Sequence, residues 1–96
     1  MDFQFEWDRG KAKTNLKKHV VEFAEAMTVF LDPLAYIFGD EAHAAVETRE
    51  IIIGHSSEDR LLLVGFTQPS EEVVRTISAR EATRKERRDY EENASI

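Results

Sequence analysis

Three runs rich in isoleucine, valine and leucine, at 49–54, 60–67 and 73–78, follow one another closely, and their spacing constrains the fold more than any other feature. Such residues suit a pleated, half-buried surface. The runs are joined by Ser56-Ser57-Glu58-Asp59 and Gln68-Pro69-Ser70-Glu71, links of hairpin length. Links this short make the neighbours antiparallel, because a parallel pair needs a crossover of roughly a dozen residues or more.

The segments on either side complete the pattern. Phe3, Phe5 and Trp7 alternate with Gln4 and Glu6, the period of a half-buried strand. Asp8 is placed to cap a surface helix over 9–18 that is polar except for Ala12 and Leu16, with a break over 15–21. Phe23, Ala26, Met27, Phe30 and Leu31 then form one apolar stripe at helical spacing, core in character, and Asp32-Pro33 ends that helix. A short strand follows at 34–38, closed by Gly39-Asp40, and the acidic stretch 40–48 reads as a loop. Ser78-Ala79-Arg80-Glu81 has the spacing of a capping box, predicting a helix over 79–92. Its apolar stripe is thin (Ala79, Ala82 and Tyr90), which suits a helix laid on a sheet edge or covered by a partner. The order β-α-α-β-β-β-β-α predicts an α+β class: one domain over 1–96, an antiparallel sheet with two N-terminal helices and one C-terminal helix packed on one side.

Composition removes several classes of function. There is no cysteine, hence no disulfide, thiolate metal site or cysteine nucleophile. No apolar run approaches the length of a membrane span, and the first residues lack the basic and apolar segments of a signal peptide, so the expected location is cytoplasmic. Net charge is −6, yet its distribution is uneven. Residues 9–18 carry +5 from Arg9, Lys11, Lys13, Lys17 and Lys18, and residues 75–88 carry +4. Phosphate responds to potential at contact distance, because salt screens charges beyond about 8–10 Å. If the two basic segments meet, a nucleic-acid surface forms on an acidic protein; otherwise they are solvated helix faces.

No phosphate loop, HExxH, nucleophile elbow or metal-ligand cluster is present, so no cofactor and no metal are expected. What remains is a set of arginines at strand and helix ends, Glu47, and His19, His43 and His55. That set suits RNA transesterification, in which a glutamate or histidine takes the 2′-hydroxyl proton and guanidinium groups hold the phosphorane oxygens. The competing account pairs Arg49, Arg60 and Arg75 with Glu47, Glu50 and Glu72 as ordinary surface ion pairs.

Three blocks, in order, resemble the BrnT family. The first runs from Phe5-Glu6-Trp7-Asp8 through Lys11, Asn15, Lys18-His19 and Val21 to Asp32-Pro33. The second holds Asp40, His43, Glu47, Arg49, Ile53-Gly54 and Arg60-Leu61; the third is Arg75, Ile77-Ser78-Ala79-Arg80, Lys85-Glu86-Arg87 and Tyr90-Glu91. The resemblance implies a RelE-like fold and a metal-independent ribonuclease toxin of a type II toxin-antitoxin system that arrests growth. It also implies a BrnA-like ribbon-helix-helix antitoxin and a homodimer within a 2:2 complex. Carried over to this sequence, the working residues are Lys18, His19, Glu47, Arg49, Arg75 and Arg80, with Glu47 or His19 as base and Arg49, Arg75 and Arg80 as phosphate holders. Arg60, Arg84, Lys85 and Tyr90 are the expected RNA contacts. The chain departs from the family in its acidity, in Val73 where an arginine is common, and in the acidic turn at 69–72. Those departures carry an alternative: a catalytically degenerate member that binds the antitoxin and co-represses without cleaving RNA.

Overall fold

The computed structural model describes residues 3–40 and 48–94. Its elements are β1 (Gln4–Glu6), α1 (Arg9–His19), α2 (Phe23–Ala26) running into a 3-10 helix (Met27–Leu31), β2 (Tyr36–Gly39), β3 (Glu50–His55), β4 (Leu61–Ser70), β5 (Val73–Glu81) and α3 (Arg84–Ala94). They form an α+β fold around a five-stranded sheet of order β1-β5-β4-β3-β2. The hairpin reasoning holds for β3 through β5, which are antiparallel neighbours, and β2 also runs antiparallel to β3, in keeping with the expected antiparallel sheet. β1 joins parallel to β5, so the sheet is mixed. The expected loop at 40–48 falls largely on 41–47, outside the described residues.

The two faces of the sheet bury different side chains, because strand residues alternate. Leu62, Val64, Phe66, Val74 and Ala79 pack under Val21, Phe23, Ala26 and Val29 from the α1–α2 region. Ile53, Leu61 and Leu63 lie on the other face beneath Tyr90 of α3. The helices therefore cover both faces, not one. From α3 only Tyr90 is fully buried, and Tyr36 and Ile51 beside it are partly buried.

Three local expectations shift. α1 runs through the predicted break to His19, because Asn15 turns inward and is buried. The helix ends at Val20, whose φ of 56° is left-handed. The apolar stripe after it does not make one continuous α-helix. The tighter winding from Met27 brings Val29 into the core and leaves Leu31 82% exposed. The C-terminal helix starts later than its first serine suggests. β4 extends far enough to pair Leu63 with Arg80 and Leu62 with Glu81, which keeps 79–81 in the sheet. The capping box exists five residues on: Glu86 N–H donates to Thr83 Oγ1 at 3.2 Å, and Thr83 N–H donates to Glu86 Oε1 at 2.8 Å.

Candidate nucleic-acid interface

β1 pairs with β5 over Val73 to Arg75, and beyond that point α1 takes over the strand edge. Asn15 Nδ2 donates to the Ala79 carbonyl at 2.9 Å and its Oδ1 accepts from the Ala79 N–H at 3.0 Å, as a neighbouring strand would. This clamp sets the last turn of α1, with Lys17, Lys18 and His19, beside the second half of β5. A bulge in β5 then decides which side chains meet it. Phe66 pairs with Thr76 and Gly65 with Ser78, so Ile77 is the extra residue. The extra residue resets the alternation and puts Ser78 and Arg80 on the same face as Arg75.

Two adjoining clefts result. The larger, about 540 Å³, is bordered by Lys11, Thr14, Lys18 and His19 of α1, Arg49 ahead of β3, and Ser78. The smaller, about 250 Å³, is bordered by His19, Asp40, Ile51, Gly65, Ser78 and Arg80. His19 and Ser78 border both, so the clefts form one path. Gly65 keeps it open: a Cβ there would lie 2.7 Å from Ser78 Oγ. Arg49 Nε is buried and has no hydrogen-bond partner among the described residues. An orphaned cationic donor lining a basic cleft is unmet capacity for an anion.

The structure thus brings Lys18, His19, Arg49 and Arg80 together, although Arg80 is engaged. Its guanidinium meets Glu86 in a two-pronged pair, Nη1 to Oε1 at 2.7 Å and Nη2 to Oε2 at 2.8 Å. That hydrogen bond raises the Arg80 pKa against the effect of burial, and it is the largest influence drawing the Glu86 carboxyl down to about 2. Arg75 shares the sheet face but lies toward the far end of β5, bonded through Nε to Glu6 at 2.6 Å with both side chains about half exposed. Glu47 and His43 lie outside the described residues.

The expected RNA contacts divide. Arg84 and Lys85 are exposed on the first turn of α3 and border neither cleft. Arg60 is engaged elsewhere: it clasps Glu25 with Nε and Nη2 and donates to the Val20 carbonyl at 3.1 Å. The Arg60 hydrogen bond lowers the Glu25 pKa in spite of burial, aided by the Ser56 hydroxyl. Tyr90 is 3% exposed, donates to Asp32 Oδ2 at 2.8 Å, and stacks under Tyr36. Burial and that bond push its hydroxyl up to about 12. These two residues hold the fold together rather than face the cleft. His55, whose ring packs on Tyr90, belongs to the same structural cluster.

Sequence reasoning did not single out Lys11, Thr14 or Ser78 as cleft residues. Lys11 and Lys18 are seven apart, two helical turns, and that spacing was a readable signal. Ser78 was not readable, since its orientation depends on the bulge. Among the described residues no group of three histidine, aspartate or glutamate side chains could hold a metal ion, and no helix is long and apolar enough to cross a membrane.

Comparison with known proteins places this geometry in context. No curated relative matches the sequence. The chain is similar to a solved structure described as the ribonuclease toxin BrnT of Brucella abortus. The TM-score is 0.67 at 26% identity, over 85% of this chain and 99% of that one. Residues 7–86 match the family described as the ribonuclease toxin BrnT of type II toxin-antitoxin systems. That match spans the first basic segment, the Asn15 clamp and the clefts, and reaches Glu86 in the second basic segment; the chain belongs to the BrnT family of ribonuclease toxins.

Proposed function

We propose that this chain is an active endoribonuclease that seats the scissile phosphate where the two clefts join. The observation that carries the reading is the shared border: His19 and Ser78 line both clefts, linking Lys11, Lys18 and Arg49 to Arg80. His19 takes the proton of the ribose 2′-hydroxyl as that oxygen attacks phosphorus. Glu47 is the other base that the family resemblance offers. Lys18 and Arg49 hold the non-bridging oxygens, whose negative charge grows in the phosphorane. The bond to the 5′-oxygen breaks, Lys11 protonates the leaving oxygen, and a 2′,3′-cyclic phosphate remains. Every step uses protein groups alone. Arg75, Arg84 and Lys85 act farther out, attracting the strand. In the cell we place the toxin in the cytoplasm, where cleavage arrests growth, and where a BrnA-like ribbon-helix-helix antitoxin neutralises it in a 2:2 complex.

One observation favours the degenerate, antitoxin-binding alternative. Arg80 and Arg75 already have carboxylate partners, which lowers the potential a phosphate meets. Purified toxin incubated with RNA separates the two. The active reading expects fragments ending in cyclic phosphate, and at least about a hundredfold loss in Lys18→Ala, His19→Ala or Arg49→Ala at unchanged melting temperature. Folded wild-type protein that leaves RNA intact and does not slow growth on induction would establish the alternative.

A further inference from the structure

α1 has a second long face, turned away from the phosphate path. There Trp7, Ala12, Leu16 and Phe23 floor a groove of about 710 Å³ between α1 and α2, with Arg9 and Lys13 on its rim. The Trp7 ring meets Phe23 edge-on, with centroids 6.0 Å apart, which makes this floor firm. Leu16 is 40% exposed on a helix that is otherwise almost wholly polar. The surface continues past Lys13 and Leu16 to Lys17. α1 contains no acidic residue; Glu22 is the acid on the groove's opposite border.

We propose that this groove is the docking seat for an acidic, amphipathic helical segment of the toxin's protein antitoxin. The proposal rests on family membership, which implies such a partner, and not on the cleft's cleaving RNA. Charge complementarity selects the occupant. An apolar floor with a cationic rim matches a helix carrying leucine-like anchors on one side and carboxylates beside them. Eleven helical residues span about 16 Å, room for two to three turns of a partner helix. A second copy docking through the same face would set two cationic helices against each other. A nucleic-acid strand would find phosphate partners on the rim but no polar groups on the floor to read its bases.

The location also explains inhibition without entry into the cleft. Lys13 and Leu16 face the groove, while Lys11, Thr14 and Lys18 of the same helix face the phosphate path. Carboxylates docked in the groove lie about one helix diameter from Lys11 and Lys18, within roughly a Debye length. They lower the potential that draws RNA in.

The test uses the full chain and the purified product of the reading frame adjoining its gene, with binding measured by calorimetry. Leu16→Glu and Lys13→Glu should each raise Kd about tenfold or more, and binding to the wild type should weaken with added salt. Both variants should keep the wild-type melting curve, and without antitoxin each should cleave RNA no more than about twofold slower, since one carboxylate in the groove repels RNA far less than a docked segment carrying several. Binding within twofold of wild type in both variants overturns the proposal, as does a wild-type toxin that the adjoining product does not bind. Sedimentation of a wild-type dimer that Leu16→Glu converts to monomer makes the groove a self-interface and also overturns it. So does a loss of RNA affinity of about tenfold or more in the two variants, which makes the groove part of the RNA path. A toxin that binds antitoxin through Leu16 yet cleaves no RNA would defeat the ribonuclease reading alone.

Discussion

Asn15 serves Ala79 as a strand would: the carboxamide satisfies both backbone groups of the residue between Ser78 and Arg80, and also donates to the Val21 carbonyl at 3.0 Å. One side chain thereby ends a sheet, anchors a helix and sets the distance between His19 and β5. Asn15→Ala leaves three buried backbone groups without partners and should destabilise the fold by about 2–4 kcal/mol. Asn15→Asp should cost at least as much near neutral pH, because it turns a carboxylate toward two carbonyls. Urea unfolding of both variants checks this, and an Asn15→Asp protein as stable as wild type would refute it.

Arg80 and Glu86 give the protein an acid-sensitive link. The Glu86 carboxyl is held at about 2, below its ordinary 4.5, by Arg80 first and by the Thr83 N–H, with burial opposing both. A depressed folded-state pKa means the stabilisation is complete above about pH 4.5 and is lost as pH falls toward 2. Because Arg80 is 41% exposed, solvent screening reduces the contribution to about 1 kcal/mol. Arg80→Ala should flatten the stability profile across that window. Glu86→Gln frees Arg80 for phosphate and should tighten RNA binding roughly fivefold at neutral pH, read by titration of a non-cleavable oligonucleotide.

How much of this was legible beforehand follows from what each feature depends on. The β3–β5 meander was readable because link length and residue type are local properties of the three apolar runs and their turns. Lys18, His19 and Arg49 came from chemistry and resemblance, and their convergence needed the fold. Ser78-x-x-Glu81 misled because Thr83-x-x-Glu86 has the same spacing, and pairing with β4 rather than local preference decided between them. Tyr90 and Arg60 resembled RNA contacts because a sequence does not reveal that Asp32 and Glu25 wait for them across the fold. The bulge at Ile77 left no signal, and it turns Ser78 and Arg80 toward the cleft.

Arg60 is predicted to matter for stability and not for RNA. Glu25 is 12% exposed and relies on Arg60 for two hydrogen bonds. Removing the guanidinium leaves that carboxylate with the Ser56 hydroxyl in place of an ion pair, so Arg60→Ala should cost about 3 kcal/mol. Arg60→Lys should recover less than half of it, since a single ammonium does not reproduce the two-pronged contact. Cleavage rates normalised to folded protein should equal wild type in both. A specific loss of activity in a fully folded Arg60→Lys protein would move the residue into the RNA path.

Val20 ends α1 in a conformation that suits it poorly. Its φ of 56° is left-handed, where a β-branched side chain crowds the backbone at roughly 1–2 kcal/mol. The strain persists because the surroundings hold it: the Val20 N–H caps the Leu16 carbonyl at 2.9 Å and the Val20 carbonyl accepts from Arg60. The side chain is 69% exposed and contributes little burial in return. Val20→Gly should therefore stabilise the protein by about 0.5–1 kcal/mol, the relieved strain exceeding the added entropy of the unfolded chain. The gain should vanish in the Arg60→Ala background if Arg60 is what holds residue 20 in place, since a freed valine can relax by itself. Thermal melts of the two single variants and the double variant measure that coupling directly, and strictly additive effects would show that the left-handed turn is held by the helix end and not by the Arg60–Glu25 clasp.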